Sequence, residues 1–200
     1  MLRDNITGER IGKKQPIPYS EMKELLLDTY ELRIKALIAV QYGTASRIGE
    51  IIPYTHHFSD GSVTETYGLL KPNIVEHSNY LEFILPVFKN PRRETKNCFI
   101  SKKETFLIEP ILEWLKICGT QVFDLREARA RQLIREYTGY SSHYFRHSRA
   151  QHLVDIFDYT AYELKDALAH AALETSVAYI VASPRAKIRK IETRLEAGGL

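Results

Sequence analysis

The stretch His143-Tyr144-Phe145-Arg146-His147-Ser148-Arg149 guides the interpretation of the whole chain. If it is helical, His143 and Arg146 are three residues apart and lie on one face. An arginine can hold two phosphate oxygens, and a histidine can transfer a proton near neutral pH. The pair therefore suits phosphate chemistry, although an ordinary helix-surface pair is the simpler interpretation of these residues alone.

A metal site is the second interpretation of this stretch. His143 and His147 are four residues apart, a spacing at which two helical histidines can share zinc. The zinc-protease pattern requires a glutamate directly after the first histidine, and Tyr144 occupies that position. The sequence therefore predicts no metal site.

Two further segments carry side chains of the same kind. In Leu168-Ala169-His170, the histidine is followed nine residues later by Tyr179, across a predicted break between helices. In 43–50, Arg47 and Glu50 are one helical turn apart. Each segment has a structural interpretation as well. Tyr179 is one of 12 tyrosines and suits a core position, and Arg47 with Glu50 suits an ion pair.

Taken in order, the three segments resemble the tyrosine recombinase (phage-type integrase) family. That family has a G-x-R-x-x-E box, a lysine in a β-hairpin, an H-x-x-R box, and an L-G-H box followed by a tyrosine. The resemblance runs from about Gln15 to Val181 and includes the opening QPIPYSEMKELL at 15–26. This sequence departs from the family pattern at Ala169, where glycine is usual, and in an additional stretch at about 53–66.

The resemblance implies a site-specific recombinase or integrase that cleaves and rejoins DNA through a 3′-phosphotyrosyl intermediate, without metal or cofactor. The implied catalytic residues are Arg47, Lys89, His143, Arg146, His170 and Tyr179, with Glu50 in support and Lys96 as the alternative acid. Integration of a mobile element, excision, inversion and dimer resolution share these residues.

The implied roles divide the chemistry of one phosphodiester. Tyr179 is the nucleophile and His143 accepts its proton. Arg47 and Arg146 hold the non-bridging oxygens, and His170 adds a hydrogen bond. The lysine protonates the departing 5′-oxygen. A type IB topoisomerase has similar chemistry and is the alternative function, and a DNA-binding module without catalysis is a further one.

The charge distribution agrees with a polyanionic partner. The formal net charge is only +3, but 85–103 has six basic residues against one acidic, and 126–149 has six against two. Neutralising phosphates releases counterions, which favours binding of double-stranded DNA by such clusters. From these clusters we expect Arg92, Arg93 and Arg149 to contact DNA.

The predicted fold is mainly α-helical with one small antiparallel sheet, an α+β arrangement, and the resemblance identifies it as the DNA breaking-rejoining catalytic-domain fold. We expect helices from Ser20, at 32–42, 46–52, 105–118 and from Asp124 to Tyr137, then near 143–156, 160–169, 173–182 and 185–196. Strands are expected at Tyr80–Lys89 and Asn97–Ser101, and 54–79 is expected to be irregular. Pro110 is expected to open or kink its helix.

The domain organisation follows from these elements. We expect a basic linker-like segment at 1–14, a catalytic domain at 15–183 and a basic amphipathic helix at 184–200. With at most 14 residues ahead of the catalytic part, no N-terminal DNA-clamping domain is expected in this sequence. The terminal helix is expected to dock on a second protomer of a tetramer on DNA, with folding back on its own domain as the alternative. The protein free in solution is expected to be a monomer.

Composition excludes several classes. The chain is 44% hydrophobic and 26% charged, as is usual for a globular protein and not for a disordered one. The longest apolar run is far shorter than the roughly 18 residues of a membrane span, and two cysteines make no disulfide framework. We therefore expect a cytoplasmic protein that associates with the nucleoid when bound to DNA.

Overall fold

The computed structural model of the chain describes residues 15–57, 60–87 and 95–198. In chain order its elements are α1 (Tyr19–Asp28), α2 (Leu32–Gly43), α3 (Ile48–Ile51), β1 (Tyr54–His57), β2 (Val63–Thr66), a 3-10 turn (Lys71–Asn73), β3 (Ile74–Glu76), β4 (Tyr80–Pro86), β5 (Thr95–Ser101), α4 (Thr105–Ile117), α5 (Glu127–Thr138), α6 (Ser142–Asp155), α7 (Ala161–Leu168), α8 (Leu173–Ala182) and α9 (Pro184–Gly198). The mainly helical prediction with a small antiparallel sheet is confirmed.

Helix α2 lies at the centre of the domain. Its sequence is apolar around almost its entire circumference, and every residue from Ala36 to Gly43 is buried. Helices α4 and α6 pack against it. A Cβ atom on Gly43 would lie 2.4 Å from Cδ1 of Ile100, so glycine lets the end of α2 approach β5 closely. This approach brings the segment after α2, which contains Arg47, next to the sheet.

The larger sheet has the order β3-β4-β5, and both pairs are antiparallel. Along β5 the buried residues alternate with exposed ones, so Lys96, Cys98 and Ile100 point into the domain. The register pairs Leu85 of β4 with Lys96. The strand begins at Thr95 rather than at Asn97, and this earlier start includes a lysine among the inward-facing positions.

The expectation that 54–79 is irregular is wrong. Strands β1 and β2 form a separate hairpin with Tyr54 opposite Thr66, and β3 joins the larger sheet. The additional stretch therefore folds as a hairpin directly after α3. Strands β1 and β2 are polar at most positions and β3 has only three residues, so none of them shows the apolar alternation by which strands are recognised.

Helix starts differ from the sequence prediction in α1, in α3, which begins at Ile48 rather than at 46, and in α5. The first residue before α1 is Pro18, so Ser20 lies inside the helix instead of capping it. Helix α5 begins at Glu127 after Arg126, two residues later than a cap at Asp124 would place it. Of the two alternatives expected for Pro110, opening the helix is wrong, because Pro110 lies within α4. Helices α6 to α9 agree with their predicted spans to within one or two residues.

Among the described residues, no helix combines the length and apolar character needed to cross a bilayer.

Candidate active site

The candidate site is organised around one buried carboxylate, that of Glu50. Its Oε1 lies 2.8 Å from Nη1 of Arg47, and its Oε2 lies 3.1 Å from Nζ of Lys96 and 4.0 Å from Nη1 of Arg146. Burial alone would raise the pKa of this carboxyl group, but Lys96, Arg146 and Arg47 together hold the pKa below its usual value. Glu50 is therefore ionised at neutral pH.

Local structure fixes Glu50 and Arg47 relative to each other. Arg47 is the residue before α3, and its backbone N–H donates to Oε2 of Glu50 at 3.0 Å. The Glu50 carboxylate thereby accepts a hydrogen bond from a backbone N–H at the start of its own helix, and it also pairs with the Arg47 guanidinium. The predicted structural ion pair is present, but Glu50 also has two other cationic partners.

Arg146 is held by two backbone carbonyl groups from different parts of the chain. Its Nη1 donates to the oxygen of Ala45 at 2.6 Å, and its Nη2 donates to the oxygen of Leu168 at 2.8 Å. Burial lowers the pKa of Arg146 to about 10, with Glu50 opposing this change, so the guanidinium stays charged at neutral pH. These contacts connect the segment between α2 and α3, helix α6 and the end of α7 at one point.

The site has an excess of positive charge. Three cations, on Arg47, Lys96 and Arg146, surround the single Glu50 anion, which leaves two positive charges unbalanced. Arg47 is the member with solvent access, since 26% of its side chain is exposed. An excess of buried positive charge beside an accessible guanidinium is suited to binding an anion such as a phosphodiester.

His170 lies beside these cations and is 8% exposed. Burial, followed by the charges of Arg146, Arg47 and Lys96, lowers its pKa to about 4. The imidazole is therefore neutral at pH 7 and donates through one ring nitrogen only. Its backbone follows Ala169, whose left-handed conformation (φ 50°) ends α7.

Tyr179 projects from α8 onto the ring of His170. The two rings are stacked, with centroids 6.5 Å apart and planes at 17°. Burial raises the pKa of Tyr179, and the positive charge of Arg146 opposes that change. The structure thus brings together five of the candidate site residues, Arg47, Glu50, Arg146, His170 and Tyr179. Beside them lies Lys96, the residue expected as the alternative acid.

The two lysine candidates have different positions. Lys96 is buried below Glu50, and its ammonium group forms an ion pair but has no hydrogen-bond acceptor within the described ranges. Lys89, Arg92 and Arg93 lie outside the described residues, as does the basic segment 1–14. Alternate positions of a strand face the same side, so the apolar residues Cys98 and Ile100 are the sequence signal that could have placed Lys96 facing inward.

The two histidines of α6 also differ. His143 is exposed in the first turn of the helix, and His147 is half-buried one turn later. Nδ1 of His147 lies 3.4 Å from the hydroxyl of Tyr179, and their ring centroids are 5.4 Å apart. The sequence did not predict this contact. Among the described residues, no group of three or more histidine, cysteine or acidic side chains is arranged to hold a metal ion.

The expectation that Arg149 contacts DNA is corrected by the structure. Its side chain is buried, and Nη1 and Nη2 donate to the two oxygens of Glu104 at 2.6 and 2.8 Å. A guanidinium paired with a carboxylate inside the domain is not accessible to a phosphate. Arg149 faced inward because the helix turn that carries it packs against α2 and the Glu104 segment.

Helix α9 contacts its own domain along one side. Arg185 donates to the carbonyl oxygen of Asp155, and Arg189 donates to that of Val154, both at the end of α6. Positive charge is favourable at a helix C-terminus. Ile188 and Ile191 are exposed on α9, whereas the side chain of Leu195 is outside the described residues.

No protein-family model matches the chain, and no curated protein matches its sequence. Several solved structures are similar in fold. They include XerH site-specific recombinase bound to difH substrate before cleavage (TM-score 0.61, 18% identity, 88% of this chain and 52% of that one) and XerH bound to palindromic difH substrate after cleavage (TM-score 0.59, 15% identity, 98% and 55%). XerA recombinase is also similar (TM-score 0.64, 13% identity, 94% and 66%).

These similarities concern the fold. The chain spans about half of the XerH chains and about two thirds of the XerA chain. It has a mostly helical fold with small antiparallel sheets, similar to that of tyrosine recombinase catalytic domains.

Proposed function

We propose that this chain is the catalytic part of a site-specific DNA recombinase that forms a covalent bond between Tyr179 and a 3′-phosphate of DNA. The observation that carries the proposal is the position of one tyrosine, stacked on His170 beside a cluster with two unbalanced positive charges. The fold shared with XerH and XerA supports it.

The electrostatic part of the mechanism follows from the cluster. A phosphodiester gains negative charge on its non-bridging oxygens as it becomes five-coordinate. Arg47 and Arg146 supply fixed positive charge there, and the neutral ring of His170 supplies an N–H donor. Glu50 holds the guanidinium groups in place without cancelling their charge.

The tyrosine needs a proton acceptor. A free tyrosine has a pKa of about 10, so roughly one molecule in a thousand is ionised at pH 7, and burial raises the pKa of Tyr179 further. The family resemblance assigns the acceptor to His143, and the 3.4 Å contact makes His147 the second candidate. Comparing adduct formation by His143→Ala and His147→Ala decides between them, since loss of the true acceptor slows attack more.

The departing 5′-oxygen needs a proton donor, which we assign to Lys89. The donor has to touch the DNA, and Lys96 is fully enclosed beneath Glu50, where its charge holds the carboxylate. A 5′-bridging phosphorothiolate tests this, because sulfur leaves without protonation. It should restore cleavage by Lys89→Ala and not by Lys96→Ala. The opposite result would assign the acid to Lys96.

The deciding experiment is covalent capture on DNA. The chain is incubated with a pool of nicked duplexes of random sequence, on which cleavage traps the adduct, and denatured complexes are isolated and sequenced. We expect an adduct on Tyr179 and a free 5′-hydroxyl on the released strand. Tyr179→Phe should bind DNA without forming the adduct, and Tyr162→Phe, at an exposed tyrosine, should form it normally.

Several outcomes would contradict the proposal or change its details. An adduct on Tyr159 or Tyr162, or one that persists in Tyr179→Phe, would place the chemistry elsewhere. Recovery of no preferred sequence, together with relaxation of supercoiled plasmid, would favour the topoisomerase-like alternative. Loss of cleavage in excess chelator would support a metal at His143 and His147.

We also propose that recombination requires several protomers and that α9 contributes to their contact. The basis is the exposure of Ile188 and Ile191 on a helix whose arginines already anchor it to α6. Ile188→Glu with Ile191→Glu leaves those anchors in place. This double variant should cleave single sites normally and fail to join two sites. Normal joining of two sites would show that α9 serves its own domain only.

A further inference from the structure

Ser176 contacts the candidate site but has no part in the roles proposed above. It is completely buried in α8, three residues before Tyr179, and its Oγ lies 2.9 Å from Nδ1 of His170. Because residues three apart share a helix face, the hydroxyl and the tyrosine approach His170 from the same helix. One turn of α8 therefore contacts both an edge and the face of the same imidazole.

The neutral ring of His170 carries one proton, which can be on Nδ1 or on Nε2. Which tautomer forms depends on the direction of the hydrogen bond with Ser176, since a hydroxyl can donate or accept. The two directions have opposite consequences. With the proton on Nε2 the outer nitrogen is a donor, and with the proton on Nδ1 it is an acceptor.

Burial selects the direction of this hydrogen bond. If Nδ1–H donated to Oγ, the hydroxyl hydrogen of Ser176 would need an acceptor of its own. Within the described ranges, Nδ1 of His170 is the sole hydrogen-bond partner of that hydroxyl, and the residue has no exposed surface for water. If Ser176 donates to Nδ1, both groups are satisfied, and unsatisfied buried donors are strongly disfavoured.

We propose that Ser176 is a positioning residue that holds His170 as the Nε2–H tautomer, so that the imidazole can only donate a hydrogen bond to the phosphate. The assignment of the tautomer stands on the contact with Ser176. Its use on a non-bridging phosphate oxygen rests on the proposed function. A backbone hydrogen bond from His170 N–H to the carbonyl oxygen of Lys165, at 3.0 Å, fixes the other end of the residue.

The first test needs no DNA. Side-chain ¹⁵N spectra of the whole chain distinguish a protonated ring nitrogen from a bare one, and His170→Gln identifies the His170 signals. We expect wild type and Ser176→Thr to have the proton on Nε2, and Ser176→Ala to lose this preference. Thr175→Ala removes an exposed hydroxyl one residue away and should leave the spectrum unchanged. A proton on Nδ1 in the wild type would overturn the proposal, whether or not any variant folds.

The second test measures the rate of adduct formation on the captured DNA substrate. Loss of a residue that orients a metal-bound histidine commonly lowers activity about 10–100-fold, and orientation of His170 is the same kind of task. We expect a loss of that size for Ser176→Ala, recovery in Ser176→Thr and no change in Thr175→Ala. Wild-type cleavage by Ser176→Ala, or slow cleavage by a Ser176→Thr protein that keeps the Nε2–H signal, would overturn the role.

The two tests separate failure of this inference from failure of the proposed function. If the wild type forms no adduct with any DNA, the recombinase assignment fails, and the spectra still decide the tautomer. If the wild type forms the adduct but its His170 carries the proton on Nδ1, the recombinase assignment stands and the role of Ser176 is wrong.

Discussion

Two buried carboxylates in this domain pair with arginines that are three residues apart on α6. Glu50 lies near Arg146, and Glu104 pairs with Arg149. All four side chains are buried, and both arginines stay charged at neutral pH. The same helix therefore contributes an arginine to both clusters, the Glu50 cluster and the Glu104 cluster. Because both are buried, a difference between them in function has to come from their charge balance and not from burial.

Each cluster also contains a neutral histidine that contacts a hydroxyl group. In the first, Nδ1 of His170 lies 2.9 Å from Oγ of Ser176, and in the second, Nδ1 of His152 lies 2.6 Å from the hydroxyl of Tyr42. Burial, followed by the charge of the neighbouring arginine, lowers the pKa of each histidine to about 4. The kinds of side chain alone do not distinguish the clusters.

Charge balance does distinguish them. Glu104 has one guanidinium on its two oxygens, and Tyr19 donates a further hydrogen bond to Oε1 at 3.1 Å. That pair is neutral. Glu50 has three cations, so its cluster gains from an anion that the chain itself does not supply. We infer that the neutral cluster stabilises the domain and that the cationic one is built for a ligand.

The largest expected effect is on stability, from Arg149→Ala. This change leaves Glu104 buried without a cation, and breaking one partner of a buried ion pair typically costs about 3–5 kcal/mol. Urea unfolding measures the change. Arg131→Ala breaks an exposed pair with Glu127 and should cost at most about 1 kcal/mol. If both variants lose equally little, the Glu104 cluster is not what stabilises this part of the domain.

The next effect is on cleavage, from Arg146→Ala. Loss of one preorganised group that stabilises developing charge lowers rates about 10²–10³-fold. Rates are measured at a temperature where circular dichroism confirms that the variant is folded, because Arg146 also binds two backbone carbonyl groups. Arg129→Ala, at an exposed arginine, is the control. Normal cleavage by Arg146→Ala would mean that the cationic cluster is not the reaction site.

The third effect is the dependence of stability on pH. The pKa of both His152 and His170 is about 4 in the folded chain, whereas an unfolded histidine has a pKa of about 6.5. Between these values the unfolded state binds more protons, so the free energy of unfolding falls as the pH is lowered from about 6.5 to 4. Each histidine contributes at most about 3 kcal/mol to this loss, and solvent screening makes the contribution smaller.

Two variants and one ligand sharpen this measurement. His152→Gln and His170→Gln should each make the loss between pH 6.5 and 4 smaller, by similar amounts. Bound inorganic phosphate should raise the pKa of His170 by bringing negative charge to the cationic cluster, and should leave His152 unchanged. Equal responses of the two histidines to phosphate would contradict the distinction between the clusters.

The sequence predicted the cationic cluster better than the neutral one. Arg47, Glu50, Arg146 and His170 lie in short segments that resemble, in the same order, the motifs of one family, so their convergence could be expected. Arg149 lies in no such motif, and from its positive charge alone the sequence predicted a contact with DNA. The sequence does not show that the Glu104 carboxylate faces this arginine. The partner, Glu104, lies 45 residues earlier and comes close only through packing around α2.

Other features depended on structure for a similar reason. The hairpin of β1 and β2 has polar strands whose pairing is set by backbone hydrogen bonds, which composition does not record. Ser176 could not be predicted as a site residue, because a single serine in an apolar helix matches no sequence pattern. Its role depends on its contact with Nδ1 of His170, which only the structure shows. Strand alternation predicts the inward position of Lys96 only if the strand begins at Thr95, as it does in the structure, and not at Asn97.

The smallest effect tests the backbone at Ala169, between α7 and the helix that carries Tyr179. Ala169 has a left-handed conformation with φ 50°, which disfavours a residue with a Cβ atom by about 1–2 kcal/mol. Glycine removes that strain but gains freedom in the unfolded chain, so Ala169→Gly should raise the free energy of unfolding by about 0.5–1 kcal/mol. Cleavage should be unchanged, because the wild-type backbone already places the Leu168 carbonyl on Arg146.

Ala167→Gly lies two residues earlier inside α7 and should lower stability by about 1 kcal/mol. If Ala169→Gly behaves like Ala167→Gly, the left-handed end of α7 does not exist in solution, and the carbonyl that holds Arg146 must be positioned in another way.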